Sequence, residues 1–315
     1  MPRKSPFLRC LDGYVQYLRD EAKLAERSIK DYERAIHYCR DIVQDGGGPE
    51  NPLKVSKENL RYLLDHLPGA TSTRKWRWSI YAGYLKWCGN PAIGTIKQAW
   101  PHINRTNVDW LEPEQADAVR EAALQVDALT GLIVHLELDL CLRRCEVMRL
   151  RLRDIHKDSI DVLGKGRMGG KWRTVRLDLD SGAILGRWLE TRQQLQNLTD
   201  GPQTDLLFVY QLDKKLVPYQ RSALDYILER VSVQSGVPFK GHHTLRRTGG
   251  RMMWLENVPI ETIASIMGHS STQTTMSYIG VNLDDQGKAL EAVRNARIQR
   301  AKTAQNVPLV TVPGV

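Results

Sequence analysis

Apolar positions recur three and four residues apart through the first hundred residues, the period of an amphipathic helix. Phe7, Leu8, Leu11, Tyr14, Val15 and Leu18 form one such stripe, with Ser5-Pro6 as cap and first turn. Ser28 opens a second segment, with Ile29, Tyr32, Ile36 and Ile42 as its inner positions, and Gly46-Gly47-Gly48-Pro49 breaks it. Ser56 starts a short helix through Leu60, Leu63 and Leu64, which Pro68-Gly69 ends. A fourth helix is expected over about 73–88, stopped by Gly89-Asn90-Pro91.

Residues 96–110 lack periodicity and hold Pro101 and Asn104-Arg105-Thr106-Asn107, so they read as a linker. Leu111-Glu112-Pro113-Glu114 reads as a helix start with Pro113 in the first turn, and a long helical region follows to about Arg153. The period then shortens to two. Residues 159–163 and 173–177 alternate like strands, and Gly164-Lys165-Gly166 and Gly169-Gly170 between them mark a hairpin with a flexible tip. Beyond Asp180 the pattern is mostly helical again, and no internal repeat is present. The expected fold class is mainly α with a small β-hairpin. A helical domain spans 1–95, a linker 96–110, a second domain 111–290, and a C-terminal helix and tail 291–315.

At 315 residues the chain has room for about two domains with separate cores. Its net charge of +9 makes a polyanion, by default nucleic acid, the expected partner; a merely basic soluble enzyme is the blander reading. Five cysteines without a CxxC pair point to buried thiols in a reducing cytosol rather than a disulfide framework or zinc site. Arg9 and Asp12 interrupt any signal-peptide core, and no 18-residue apolar stretch exists, so a cytoplasmic protein without a membrane span is expected. The helix at 73–88 carries Trp76, Trp78, Tyr81, Tyr84 and Trp87 among Arg74, Lys75, Arg77 and Lys86. It reads either as a helix lying against DNA or as a core stripe with a solvated basic face, and the two can coexist on opposite faces.

Charge brings the chemistry into view. Cleaving a phosphodiester by transesterification needs an attacking hydroxyl, a proton acceptor, a proton donor for the leaving oxygen and stabilisation of the non-bridging oxygens. Guanidinium forks match phosphate geometry, and a tyrosine hydroxyl can form the covalent intermediate. Arg143 and Arg246 are candidates for the clamp, and His243 lies three residues before Arg246, on nearly the same helix face. His243 can accept a proton, His269 can bond the phosphate, and Lys165 on the hairpin tip can protonate the leaving oxygen. Glu146 follows Arg143 by one turn and can hold its guanidinium, and Tyr278 is the candidate nucleophile. Singly, each has a plainer reading: capping for HxxR, a turn for GKG, a solvated face for Arg143-Arg144. No metal site is expected, because His242, His243 and His269 lack a convincing carboxylate or cysteine partner and adjacent histidines on a helix point apart.

Taken together, these residues resemble the tyrosine recombinases, the phage-integrase family that includes Cre and the Xer proteins. The resemblance rests on Cys141-Leu142-Arg143-Arg144-Cys145-Glu146, Gly164-Lys165-Gly166, His243-Thr244-Leu245-Arg246-Arg247-Thr248, and Met267-Gly268-His269 followed by Tyr278. It implies phosphate binding by Arg143 and Arg246, leaving-group protonation by Lys165, a general base in His243, a second phosphate-contacting histidine in His269, a supporting acid in Glu146 and a nucleophile in Tyr278. The implied reaction passes through a 3′-phosphotyrosyl intermediate and a Holliday junction, with no metal, ATP or other cofactor. The implied architecture is a two-domain, C-shaped clamp on double-stranded DNA, with a helical core-binding domain at the N-terminus and four protomers acting on two duplexes. Further DNA contacts are expected at Arg74, Lys75, Arg77, Lys86, Arg144, Arg167, Lys171 and Arg247. The helix near 284–299, with Leu290, Ala292, Val293 and Ile298, is a candidate subunit contact or else a solvated terminal helix. Cys141 stands where the family usually has glycine, Arg247 where histidine is common, and Gly249-Gly250 where bulkier residues continue a helix, which puts local rigidity in doubt. A type IB topoisomerase-like relaxer and a non-catalytic DNA-binding regulator are the competing readings.

Overall fold

The computed structural model describes residues 5–101, 109–165, 170–200, 204–281, 287, 290–298 and 300. The chain divides into two units, Met1–Asn104 with Lys165–Lys171, and Arg105–Gly164 with Trp172–Val315.

The first unit packs four helices: α1 (Pro6–Asp20), α2 (Glu26–Asp45), α3 (Lys57–His66) and α4 (Thr71–Cys88). Ser5 accepts the Leu8 N–H and Pro6 fills the first turn, as the sequence implied. Helix α2 starts before Ser28, at Glu26, because Glu26 is fixed by Arg19 Nε at 2.6 Å and sits favourably at a positive helix N-terminus. Ser56 and Asn59 form a reciprocal capping box at α3. Phe7, Ile36, Leu60, Leu63, Tyr81, Tyr84 and Leu85 fill the core. Helix α4 carries the core stripe expected of it: Trp78, Tyr81 and Tyr84 point inward, while Trp76 and Trp87 are exposed. Two of its cations are spent on the protein itself. Arg74 Nη2 donates to the Leu64 carbonyl at 2.7 Å and Arg77 Nη1 to that of Pro68 at 3.1 Å, tying down the α3–α4 turn. Lys75 and Lys86 are exposed.

The second unit begins with α5 (Pro113–Val126), capped by Glu112 and Gln115, and α6 (Ala128–Leu138). Helix α6 is buried on every side and forms the centre of the core, packed against α5 and two later helices, α8 (Leu179–Asn197) and α10 (His242–Leu255). The long helical region expected to Arg153 is in fact broken. Asp127, in an extended conformation, ends α5 and caps α6 through the Thr130 N–H. Cys141, at φ 53°, turns the chain after α6, and only the short α7 (Arg144–Val147) and a 3-10 turn at Leu152–Asp154 follow.

Strands β1 (Ser159–Leu163) and β2 (Trp172–Arg176) form the expected antiparallel hairpin, with Ser159 opposite Arg176 and Leu163 opposite Trp172. A second hairpin, β3 (Val209–Leu212) and β4 (Lys215–Pro218), stands where helix was expected. Its two-residue turn places Asp213 and Lys214 at φ 46° and 59°, a conformation whose usual sequence signal contains glycine. The fold closes with α9 (Arg221–Ser235), α10, α11 (Ile260–Met267) and α12 (Thr272–Ile279). Residues 290–298 are helical and exposed. No helix among the described residues is long and apolar enough to cross a membrane.

Candidate active site

The site is built on the turn that leaves α6. Cys141 there has left-handed backbone dihedrals, which cost a non-glycine residue roughly 1–2 kcal/mol. The turn is held by Arg246 Nη1, which donates to the Cys141 carbonyl. Burial pushes the Cys141 thiol up to about 12, making it a poor thiolate. Gly249 and Gly250 explain themselves at this point. A Cβ on Gly249 would overlap the Leu138 carbonyl oxygen, and one on Gly250 would lie 2.8 Å from Ile279 Cγ2. The two glycines weaken α10 in isolation, but they let its backbone pack directly on the Leu138 carbonyl and on the side chains of Met267 and Ile279.

Arg143 is the N-cap residue of α7, and Glu146 one turn later reaches back to it. Arg143 N–H donates to Glu146 Oε2 at 2.8 Å and its Nη1 to Oε1 at 2.7 Å. Arg173 on β2 approaches the same carboxylate from the other side, Nη2 to Oε2 at 2.8 Å and Nη1 to Oε1 at 3.2 Å. Arg246 Nη1 lies 3.7 Å from Oε2. One buried carboxylate therefore faces three guanidiniums. Burial works to raise its pKa, but the hydrogen bonds and charge of Arg173 and Arg143 outweigh it, and Glu146 is held below the ordinary carboxylate range.

Arg246, on α10, is 1% exposed. Besides Cys141, its Nη2 serves the Met267 carbonyl at 2.6 Å and His269 Nε2 at 3.2 Å. Three of its five N–H groups are thus used by the protein. Burial, with the nearby charge of Arg143, lowers it to about 10, so it keeps its charge at neutral pH even here. Arg143 is the more open of the two, its side chain 20% exposed. The sequence made the two arginines equal partners in a clamp; the structure makes Arg246 a fixed buried charge and Arg143 the more accessible fork.

His269 follows Gly268, the left-handed residue that ends α11. Its Nδ1 lies 2.9 Å from Thr275 Oγ1, and burial together with Arg246 and Arg143 pushes its pKa down to about 4, leaving the ring neutral. Tyr278 lies one turn beyond Thr275 on α12. Its hydroxyl is 3.0 Å from His243 Nδ1. The guanidinium carbons of Arg247 and Arg246 stand 5.1 and 5.8 Å from its ring centroid. Burial raises the Tyr278 pKa, and the charges of Arg246, Arg247 and Arg143 oppose that rise. A nucleophilic oxygen, an imidazole acceptor and guanidiniums are therefore gathered at one place.

A second buried cluster lies beside the first. Glu137, fully buried in α6, accepts from His242 Nδ1 at 2.7 Å. His242 Nε2 lies 3.2 Å from Asp225 Oδ1 but is not aligned for a hydrogen bond. Asp225 also binds Arg144. Burial pushes Glu137 above the ordinary carboxylate range, with His242 and Arg144 only partly opposing it. The cluster fastens the first turn of α10, the turn that carries His243.

Of the residues singled out from the sequence, Arg143, Glu146, His243, Arg246, His269 and Tyr278 converge. Lys165 is exposed after the end of β1, in the segment grouped with the first unit. Arg247 sits against the Tyr278 ring, Arg144 is paired with Asp225, and Lys171 is exposed. Arg167 lies outside the described residues. Arg173 and Thr275 were missed. Alternation places Arg173 on the same strand face as the buried Val175, and an inward arginine calls for a buried acid. Thr275 precedes Tyr278 by one helical turn, which was the available signal. Among the described residues no group of three or more His, Cys, Asp or Glu side chains is placed to hold a metal ion.

Residues 109–284 match the model of the phage integrase family. Tyrosine recombinase XerC of Bifidobacterium longum is 25% identical over 74% of this chain and 65% of its own length. The protein of the same name from Corynebacterium efficiens is 27% identical over 94% of this chain and 93% of its own. The fold is shared with XerH site-specific recombinase bound to a palindromic difH substrate, at TM-score 0.65 and 17% identity over 89% of this chain and 83% of that one. It is shared also with a lambda integrase tetramer bound to a Holliday junction, at TM-score 0.61 and 15% identity over 87% and 78% of the two chains.

Proposed function

This chain belongs to the phage integrase family, and on that premise we propose that it is a site-specific tyrosine recombinase that cuts and rejoins duplex DNA. The observation that carries the reading is the 3.0 Å approach of the Tyr278 hydroxyl to His243 Nδ1, beside arginines already oriented by protein hydrogen bonds.

Tyr278 Oη attacks the scissile phosphorus and its proton passes to His243. The bond to the 5′-oxygen breaks, and Lys165 gives that oxygen a proton, leaving a 3′-phosphotyrosyl linkage and a free 5′-hydroxyl. Arg143 presents the accessible fork to the non-bridging oxygens, and Arg246 adds a fixed charge from below. Glu146 and Arg173 keep Arg143 in register, so little reorganisation is needed when charge develops. A 5′-hydroxyl from a partner strand then reverses the attack, giving a Holliday junction and later recombinant duplexes. The linkage conserves the phosphodiester's energy, so the strand transfer is balanced without a further reactant.

Residues 1–95 serve as the core-binding domain, 96–110 as the linker and 111–290 as the catalytic domain. Lys75, Lys86 and Lys171 are the exposed cations assigned to the DNA backbone, and affinity falls steeply with salt. Four protomers act together in the cytoplasm. The exposed Val293 and Ile298 support residues 291–315 as the subunit contact.

The test is covalent capture from a randomised pool of nicked duplexes, followed by denaturing electrophoresis. The wild type is expected to yield a protein–DNA adduct and Tyr278→Phe none. An adduct in the variant would remove Tyr278 from its role; none in either would favour a DNA-binding regulator. Relaxation of supercoiled DNA without exchange between captured sites would point to a topoisomerase-like activity.

A further inference from the structure

We infer that Thr275 is a positioning residue: its hydroxyl completes the hydrogen bonding of His269 Nδ1 in either tautomer of the ring, and by rotating it serves both the DNA-free and the phosphate-bound arrangement. The functional half of this inference rests on the recombinase reading above.

A guanidinium has donors only. Arg246 Nη2, 3.2 Å from His269 Nε2, therefore requires a lone pair on that nitrogen. The ring is neutral, since burial and the surrounding arginines lower its pKa to about 4, so its one hydrogen sits on Nδ1. Nδ1 faces Thr275 Oγ1 at 2.9 Å, and the hydroxyl accepts. Thr275 directs its own hydrogen toward the Ser271 carbonyl at 3.5 Å, a long bond that is readily exchanged. Thr275 is wholly buried, so bulk water cannot take over either task.

DNA-free His269 thus turns a lone pair, not a hydrogen, toward Arg246. Donating to a phosphate oxygen requires the other tautomer. A water at the half-buried ring gives Nε2 a proton and the hydroxide so formed takes the one from Nδ1, so the charge of the ring is unchanged. Nδ1 then needs a donor, and the Thr275 hydroxyl supplies it by turning from the Ser271 carbonyl to the ring. A hydroxyl supports both states; a methyl supports neither. His269 first orients Arg246 and then joins it at the phosphate, and Thr275 permits the exchange.

The test compares Thr275→Val, nearly equal in shape, with Thr275→Ser, which keeps the hydroxyl. Ring-nitrogen NMR of the full-length, histidine-labelled, DNA-free protein, assigned with His269→Gln, should show hydrogen on Nδ1 of His269 in the wild type and in Thr275→Ser. Thr275→Val should show a mixed or Nε2-protonated ring. On a duplex captured from the randomised pool, Thr275→Val should slow covalent-complex formation at saturating protein by about 10–100-fold, the usual cost of losing an orienting partner. Half-saturation should stay unchanged, and Thr275→Ser should restore the rate. The inference is overturned by an Nε2-protonated ring in the wild type, by a wild-type rate in Thr275→Val, or by an equal loss in Thr275→Ser. Absence of any wild-type adduct would instead overturn the recombinase reading, and the ring-nitrogen measurement would still decide the tautomer.

Discussion

Glu137 and Glu146 are both fully buried glutamates of the same unit, yet they are held in opposite ways. Glu146 receives hydrogen bonds from Arg143 and Arg173 and stands within ion-pair distance of Arg246, and its pKa is depressed. Glu137 meets His242, and its pKa is raised. Burial penalises the charged form of both carboxylates; the number of cationic donors that answer it decides the direction. The consequence is a division of labour. Glu146 is an anion that keeps Arg143 and Arg173 aimed without neutralising the three guanidiniums around it, leaving net positive charge at the site. Glu137 is a fastening for the first turn of α10.

The comparison is broken or sharpened most strongly by Glu146→Gln. Removing one partner from a buried charge cluster should destabilise the chain by about 3–5 kcal/mol, read by urea unfolding of the full-length protein. Glu137→Gln should cost only about 1 kcal/mol, the net worth of an ordinary hydrogen bond. Equal losses would mean that the donor count is not what separates the two sites.

Gly249→Ala falls between these two, at roughly 1–3 kcal/mol of overpacking, because its methyl group would meet the Leu138 carbonyl at the turn that precedes Arg143. The same variant should also slow adduct formation, since it displaces the helix bearing Arg246. A stable variant with full activity would contradict the close approach.

The two glutamates should also carry opposite pH signatures. Glu146, depressed on folding, contributes stability that is present above its unfolded value and lost as pH falls through the folded one. Glu137, raised on folding, contributes stability that is present below its unfolded value and lost as pH rises through the folded one. Unfolding measured from acidic to neutral pH should therefore lose its acid-side decline in Glu146→Gln and its neutral-side decline in Glu137→Gln. Slopes of the same sign in the two variants would refute the assignment. Lys165→Ala should have the least effect on stability, since the side chain is exposed. Its adduct formation should nonetheless slow by about 100-fold, as for loss of a general acid, measured by quenched time courses on captured duplex.

Much of the fold was legible because local chemistry agreed with the final structure. Ser5, Ser56 and Pro113 start helices where their capping chemistry says they should, and the alternation at 159–163 became β1. The misreadings share a cause. Ser28 lost its place as a cap to a contact between Arg19 and Glu26. The helix expected through Arg153 was stopped by Cys141, a residue with no turn signature, held in a left-handed conformation by a bond from a helix a hundred residues later. The β3–β4 turn likewise uses Asp213 and Lys214 rather than glycine.

The sequence by itself determined which chemical groups are candidates for the proposed phosphodiester chemistry: Arg143, Arg246, His243, His269, Lys165 and Tyr278 are recognisable by type, order and spacing. Tertiary structure decided what each group is free to do. It spent much of Arg246 on carbonyls and on His269, left Arg143 more accessible, introduced Arg173 and Thr275, and made the two buried glutamates opposites. The reason is physical. A residue's type fixes how many protons and lone pairs it carries, but burial and the partners that folding supplies fix how those are shared.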